Sequence, residues 1–273
     1  MSHALTATGF LVLTVLGCHR APQQPVRLDL GATPIPFEVH ETNRPGPAFL
    51  VLHADEQTAV QAGLEAIGAR GGRLVEVVAQ GGRYVSFEMD GETWRFDPNR
   101  IFTDGGAEAT LSARNGSAPP EVLAEVRRFA TGILEAYRPD WSLPTSFPII
   151  TLHNNTEGEY SAASYLPDGE HAEDAMAVHL PPDADPDDFF FVTDPAIYTA
   201  LAAEGFTVVL QNNAQVTDDG SLSVWASRQG TPYVNVEAEH GHRERQITML
   251  EGLARVLDMI PLSSPSTSER SKE

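Results

Sequence analysis

A histidine and a glutamate three residues apart, His53 and Glu56, stand where an apolar segment gives way to a helical pattern. The apolar run Phe49 to Leu52 predicts a buried strand, and apolar residues at helical spacing predict a helix over Glu56 to Arg70. An imidazole and a carboxylate at such a corner can bind one small cation. Because a hydrolytic zinc usually has three protein ligands and an open fourth position, a further ligand is expected.

A second histidine, His153, follows another apolar run, Ile149 to Leu152. Binding sites in open α/β sheets collect just beyond the carboxyl ends of strands, so His53 and His153 can meet there. Cys18 is the only cysteine of the chain, which excludes a zinc site with several cysteines. Any metal must therefore be held by histidine, aspartate and glutamate.

The elements that must position these residues alternate between strands and helices. Strands are predicted at 26–30, 37–41, 49–53, 74–79, 84–89, 92–96, 149–153, 176–180, 189–193, 207–211, 222–227 and 232–237, and helices at 56–70, 120–137, 195–204 and 243–258. Asp90-Gly91 predicts a hairpin turn between two of the strands. This order predicts an α/β fold with a mixed, mostly parallel sheet covered by helices on both faces.

Two other segments carry polar groups suited to a site. Asn99 and Arg100 follow a proline after the strand at 92–96, where an amide and a guanidinium could bind a carboxylate or form an ordinary surface turn. Glu237 lies on the polar side of a late strand, where a carboxylate could act as general base. The nearby residues Glu239, His240 and His242 form a rival cluster, either a separate metal site or solvated and supporting polar groups.

The order His53-x-x-Glu56, Asn99-Arg100, His153 and Glu237 resembles the zinc carboxypeptidase superfamily, particularly its compact branch of succinylglutamate desuccinylase and aspartoacylase type enzymes. The resemblance spans roughly residues 37–258. It implies a mixed sheet between helices, zinc held by His53, Glu56 and His153, and a substrate carboxylate bound by Asn99 and Arg100.

The same resemblance implies that Glu237 is the general base for a water activated by the metal. The oxyanion arginine of the family is either Arg83 or Arg95. Carboxypeptidases proper also use a tyrosine shortly before the glutamate, and residues 214–229 contain none. The expected function is a zinc-dependent hydrolase that cleaves an amide bond next to a carboxylate in a peptide or acylated amino acid. The alternatives are a catalytically silent lipoprotein that binds a ligand or partner, and a chain that binds no metal.

Composition and the termini set the cellular context. The chain of 273 residues has a net charge of −20, which argues against nucleic acid as a partner. An apolar stretch before Cys18 resembles a lipoprotein signal peptide over 1–18, with Cys18 as the lipidation site and a free or buried cysteine as the alternative. We expect a tether at 19–25, a catalytic domain at 26–260 and a polar tail at 261–273. The protein would be an exported lipoprotein of a bacterial cell envelope, with membrane contact only through its lipid anchor.

Overall fold

The computed structural model describes residues 26–80, 82–138 and 147–260, so Cys18, the expected tether and the expected tail lie outside the described residues. The strands are β1 Val26–Leu30, β2 Thr33–Glu41, β3 Ala48–Val51, β4 Arg73–Val77, β5 Val85–Met89, β6 Glu92–Phe96, β7 Ile149–Asn155, β8 Ala175–His179, β9 Phe189–Val192, β10 Val208–Gln211 and β11 Tyr233–Glu239. The helices are α1 Gln57–Arg70, α2 Asp104–Asn115, α3 Pro120–Tyr137, α4 Pro195–Ala203, α5 Leu222–Arg228 and α6 Arg243–Met259.

Nine of the described strands form one mixed sheet in the order β1-β2-β4-β3-β7-β11-β9-β10-β8. The central strands β4, β3, β7 and β11 are parallel to one another, as are β9 and β10. The remaining pairs, β1 with β2, β2 with β4, β11 with β9 and β10 with β8, are antiparallel. The mixed sheet with parallel strands at its centre confirms the predicted fold class.

Strands β5 and β6 form a separate two-stranded hairpin. Its turn residues Asp90 and Gly91 have positive φ values of 54° and 81°, which the two-residue turn between twisted strands requires. The prediction of a hairpin at Asp90-Gly91 is therefore confirmed.

Helices cover both faces of the large sheet. Side chains alternate across β3, so that Phe49 and Val51 pack with the core beneath α1, α4 and α6, whereas Leu50 and Leu52 pack with the core beneath α2, α3 and α5. This sheet, with apolar side chains on both faces, needs cover on each side. Within the described ranges, none of the helices combines the length and apolar character needed to cross a membrane.

Two elements differ from the sequence prediction. The segment 222–227, predicted as a strand, belongs to helix α5. Over so short a stretch, its apolar residues fit both strand periodicity and helix periodicity. Asn99 favours the helix, because its side chain accepts a hydrogen bond from the first backbone N–H, that of Leu222, at 3.2 Å.

Helix α2 was not predicted, because two glycines in its first turn lower the helix propensity. The side chain of Thr103 nevertheless caps its N-terminus. A Cβ atom at Gly106 would lie 2.0 Å from the Cα of Gly220, so this glycine allows the helix to approach the loop before α5.

Candidate metal centre

Three side chains meet at the carboxyl ends of the central parallel strands. His53 follows β3 by two residues, Glu56 directly precedes helix α1, and His153 is the fifth residue of β7. The Nδ1 atoms of His53 and His153 lie 2.8 and 3.1 Å from the same atom, Oε1 of Glu56. The structure thus brings together the three predicted metal ligands, although His153 lies inside its strand and not at the strand end.

The three side chains are deeply buried, with exposed fractions of 2% for His53, 2% for Glu56 and 4% for His153. Glu56 Oε2 and His153 Nε2 are buried without a hydrogen-bond partner. A buried polar atom without a partner costs roughly 1–3 kcal/mol, and coordination of a cation by such an atom would offset this cost. Candidate ligand atoms on the three residues all lie within 4.8 Å of one another. The residues therefore fit a small divalent cation.

Asp97 orients the first of these histidines. Its Oδ1 lies 2.9 Å from Nε2 of His53, and its Oδ2 lies 3.0 Å from a guanidinium nitrogen of Arg83. A carboxylate on the second ring nitrogen fixes the orientation of a metal-binding imidazole and increases its basicity. No role was predicted for Asp97 from the sequence, although its position directly after the strand at 92–96 was an available signal.

Mutual charge stabilises the ionised forms of these groups. Burial would lower the pKa of His53, but the charge of Glu56 and the hydrogen bond with Asp97 outweigh it and raise the pKa to about 9. Burial would likewise raise the pKa of Glu56, but His153 and His53 lower it to about 2. Burial also opposes ionisation of Asp97, yet its hydrogen bond with His53 keeps its pKa below the ordinary value. Without a cation, the cluster is thus held together as an ion pair.

Glu237 lies beside the cluster on strand β11. Strands β7 and β11 are parallel neighbours, and the register pairs Glu237 with His153. The side chain is buried, and the Nδ2 of Asn235 donates a hydrogen bond to its Oε2 at 2.9 Å. Because residues two apart share one face of a strand, Asn235 and Glu237 project on the same side of the sheet. Sequence analysis found Glu237 but assigned no role to Asn235.

The environment of Glu237 shifts its pKa toward neutrality. Burial raises its pKa, the nearby His153 opposes that rise, and Glu56 supports it, so that the pKa is about 7. A carboxyl group with a pKa close to the ambient pH can both accept and return a proton. This property fits a general base better than a purely structural carboxylate.

The two residues expected to bind a carboxylate lie in a short turn at Pro98–Arg100. The backbone N–H of Asn99 donates to Asp97, and a guanidinium nitrogen of Arg100 donates to the Asn99 carbonyl at 2.8 Å. Nε of Arg100 also lies 3.5 Å from Oδ2 of Asp219. Asn99 and Arg100 both line the cavity above the cluster, but Arg100 already faces one acidic side chain.

The structure separates the two candidates for the oxyanion arginine. Arg83 lines the cavity and is held by its ion pair with Asp97. Arg95 instead packs over the ring of Tyr84, with its guanidinium carbon 4.4 Å from the ring centroid, and does not line the cavity. Arg83 is thus the one of the two that is placed near the candidate metal centre.

The rival cluster near the end of β11 does not assemble as one group. The Nδ1 of His242 lies 3.1 Å from Asp188 and its Nε2 3.5 Å from Glu239, whereas His240 lines the cavity. His242 could share a cation with Asp185 and Asp188, but that group is partly exposed and already internally paired. The arrangement fits paired polar groups supporting the end of β11.

One cavity of about 710 Å³ gives access to the cluster. Its wall contains His53, Glu56, His153 and Glu237, together with residues between 156 and 174 and between 216 and 224. This volume is in the usual range for a small-molecule site. A buried set of candidate ligands, a neighbouring carboxylate with a pKa about 7 and an accessible cavity together have the parts of a metal-dependent hydrolytic site.

Comparison with known proteins gives similarity at the level of structure. No protein-family model and no curated protein matches the chain. It is similar to a candidate metallopeptidase of Shewanella amazonensis (15% identity, 85% of each chain, TM-score 0.39). It is also similar to N-formylglutamate amidohydrolase of Ralstonia eutropha (15% identity, 81% of this chain and 95% of that chain, TM-score 0.38).

A third similar structure is a candidate succinylglutamate desuccinylase/aspartoacylase of Shewanella frigidimarina (10% identity, 89% of this chain and 73% of that chain, TM-score 0.36). The functional assignment rests on the residues of the cavity.

Proposed function

We propose that the protein is a zinc-dependent hydrolase that cleaves an amide bond next to a carboxylate, in a peptide or an acylated amino acid. The observation that carries this proposal is the convergence of His53, Glu56 and His153 in the same cavity as Glu237, which pairs in register with His153. Two imidazoles with one carboxylate form a donor set that zinc uses in hydrolytic sites. The position of Glu237 favours an enzyme over a silent binding protein.

Each cavity residue has a distinct task in this proposal. His53, Glu56 and His153 would hold zinc, which supplies Lewis acidity toward the scissile carbonyl and the attacking water. Asp97 orients the His53 ring through Nε2. Because Asn235 occupies Oε2 of Glu237, the other oxygen, Oε1, takes a proton from the water that attacks the carbonyl carbon. Glu237 then returns this proton to the leaving nitrogen as the carbon–nitrogen bond breaks.

Two arginines would bind the charged parts of the substrate. Arg83 faces the cavity next to Asp97, where its guanidinium can stabilise the negative charge that develops on the carbonyl oxygen. Arg100 and the amide of Asn99 bind the carboxylate beside the scissile bond, as the motif implies. This carboxylate would compete with Asp219 for Arg100.

The test combines metal content with hydrolysis by the purified full-length protein. The wild type and Glu237→Gln should each contain about one equivalent of zinc, whereas His53→Ala and His153→Ala should lose most of it. Glu237→Gln should lower turnover by about two to four orders of magnitude, because the amide cannot take a proton. The substrates are acylated amino acids and short peptides with free or amidated carboxyl ends.

Two matched variants serve as controls. Glu239→Gln makes the same change two residues along β11 and should keep both zinc and activity. His242→Ala should also keep zinc, since it removes an imidazole outside the proposed centre. The ligand assignment would be refuted if His242→Ala were the only one of these histidine variants to lose zinc. A zinc-loaded wild type that hydrolyses none of the substrates would favour the silent binding protein.

We also propose that the protein is exported and anchored to a bacterial envelope membrane through Cys18. This proposal is supported by the apolar stretch before the only cysteine of the chain. Peptides and acylated amino acids outside the cytoplasm would then be the accessible substrates.

A further inference from the structure

The wall of the cavity is strongly acidic. Its carboxylates are Asp55, Glu56, Glu159, Glu170, Asp174, Asp219 and Glu237, against two arginines, Arg83 and Arg100. A divalent cation at the metal centre would offset only part of this negative charge. Two of these carboxylates come from outside the central strands: Asp174 directly precedes β8, and Asp219 lies between β10 and α5.

Each of these two aspartates is fixed by a backbone N–H and keeps a second oxygen. Asp174 Oδ1 accepts from the N–H of Thr217 at 2.8 Å, and Asp219 Oδ1 accepts from the N–H of Ser221 at 2.9 Å. The remaining Oδ2 atoms have only longer contacts, 3.6 Å from His171 for Asp174 and 3.5 Å from Arg100 for Asp219. Both carboxylates can therefore accept a further hydrogen bond.

An independent observation at the same end of the cavity is the side chain of Gln211, which is 1% exposed and lines the wall. Its Nε2 donates to Oδ1 of Asn213 at 3.0 Å, and the orientation of Asn213 is set by its own donation to the Thr193 carbonyl. Oε1 of Gln211 is left buried without a partner. Register places Gln211 opposite Ala175, the neighbour of Asp174.

A second side-chain amide that lines the cavity also has an oxygen atom without a hydrogen-bond partner. Asn155 lines the cavity, and its Nδ2 donates to the carbonyls of Tyr160 and Asp187. Its Oδ1 is buried without a partner. The two unpartnered amide atoms in the cavity lining, Gln211 Oε1 and Asn155 Oδ1, are thus both acceptors, so a group that satisfies them must bring N–H or O–H donors.

Aromatic rings complete this end of the cavity. The rings of Tyr165 and Phe191 both line it, with centroids 5.2 Å apart. Burial raises the pKa of Tyr165, the hydrogen bond with Tyr160 opposes this rise, and the negative charges of Asp219, Glu237 and Asp174 support it, so the phenol is neutral at neutral pH. Aromatic faces next to carboxylates suit an organic cation.

We propose that this acceptor wall, formed by Asp174, Gln211, Asp219, Tyr165 and Phe191, binds a cationic group, an ammonium or guanidinium, on the substrate residue that carries the carboxylate. This inference rests on the proposed function for the position of that carboxylate at Arg100. It adds the substrate class: an N-acylated basic amino acid, or a peptide ending in one. Oδ2 of Asp219, 3.5 Å from Nε of Arg100, adjoins the proposed carboxylate subsite.

Binding is measured by calorimetry with zinc-loaded full-length protein, in the Glu237→Gln background so that turnover does not consume the ligand. The probes are Nα-acetyl-lysine, Nα-acetyl-arginine and the neutral Nα-acetyl-norleucine. A basic ligand should bind at least about ten-fold more tightly than norleucine, as expected for one added charge-assisted hydrogen bond. The arginine and lysine arms tell a guanidinium from an ammonium preference.

Asp219→Asn and Gln211→Met should each reduce the ratio of lysine to norleucine affinity several-fold. The ratio is the informative quantity, because Asp219→Asn also releases Arg100 and strengthens binding of every carboxylate. Asp218→Asn makes the same change one residue away, at a side chain that pairs with Thr103 and Arg228 outside the cavity wall, and should leave the ratio unchanged.

Equal affinities for the basic and neutral ligands would overturn the inference, as would an unchanged ratio in both wall variants. These outcomes are distinct from failure of the proposed function. A protein that prefers basic ligands but hydrolyses none of them keeps the inference and loses the hydrolase. A protein that hydrolyses basic and neutral substrates equally keeps the hydrolase and loses the inference.

Discussion

At the scale of single residues, the protonation state of the candidate centre would change when a cation binds. His53 has a pKa of about 9, so its ring is protonated at neutral pH and forms an ion pair with Glu56. A metal ligand must instead offer an unprotonated nitrogen. The proton that stabilises the metal-free cluster is therefore the one that a cation must displace.

This displacement gives a measurable prediction. At pH 7, zinc binding should release about one proton from His53, and the affinity should fall as pH decreases below 9, by up to ten-fold per pH unit, and level off above 9. The ion pair itself stabilises the metal-free fold fully below the ordinary histidine pKa of 6.5 and loses this contribution as pH rises through 9. Calorimetry in buffers of different ionisation enthalpy measures the proton count.

Asp97→Asn is the matched variant for the proton measurement. It keeps the size of the partner on Nε2 but removes its charge, so the pKa of His53 should fall and fewer protons should be released at pH 7. No proton release by the wild type at pH 7 would show that His53 is not the protonated ligand.

At the scale of elements, a buried network ties helix α6 to the two strands that carry His153 and Glu237. Nε2 of Gln246 donates to the carbonyls of His153 and Val236 at 3.0 and 3.1 Å. Its Oε1 accepts from Asn154, whose own Oδ1 accepts from the N–H of Ala59 in α1. One glutamine on a helix therefore sets the positions of both strands behind the site.

Gln246→Leu should accordingly weaken both the fold and the metal centre. Removal of two donors from a side chain that is 0% exposed should lower the free energy of unfolding by about 1–3 kcal/mol. Zinc affinity should fall as well, since the backbone that carries His153 loses its support. Denaturant unfolding and zinc titration measure the two effects.

Thr248→Ala, on the exposed side of the same helix, provides the comparison and should change the unfolding free energy by less than about 0.5 kcal/mol. If Gln246→Leu loses stability but binds zinc with the wild-type affinity, the network supports the fold and does not position the ligand.

At the scale of the whole molecule, the net charge of −20 bears on the proposed membrane anchor. An acidic surface is not attracted to anionic lipid headgroups, so the charge gives no second signal for membrane attachment. We propose Cys18 as the point of membrane attachment.

Cys18→Ser should therefore move the full-length protein from the membrane fraction to the soluble fraction of a bacterial host, because thioether formation needs the thiol. Fractionation followed by immunodetection measures the distribution. The anchor assignment would be refuted by an equal membrane share in the wild type and the variant.

The success of sequence reasoning differed between elements. Long periodic helices such as Pro120–Tyr137 and apolar strands such as Ile149–Asn155 were placed correctly, because their apolar spacing reflects which face is buried. The prediction of a strand at 222–227 was wrong. The seven residues of helix α5 are too few to distinguish strand periodicity from helix periodicity, and a tertiary contact from Asn99 favours the helix.

The residues of the candidate site were likewise only partly predictable from the sequence. The types and order of His53, Glu56, His153 and Glu237 were visible in the sequence, and the structure brings them together. The roles of Asn235 and Gln211 were not, because their significance depends on the strand register and on which atoms remain without hydrogen bonds. Neither property can be deduced from spacing along one chain.

The division of the cavity between strands and loops has a consequence for engineering. The groups proposed to break the bond stand on or beside β3, β7 and β11, whereas the acceptor wall is built mainly by the segments 156–174 and 211–221. Exchanging those two segments would leave the central strands unaltered and replace most of the surface that selects a ligand. The protein therefore offers a scaffold in which specificity can be redesigned separately from chemistry.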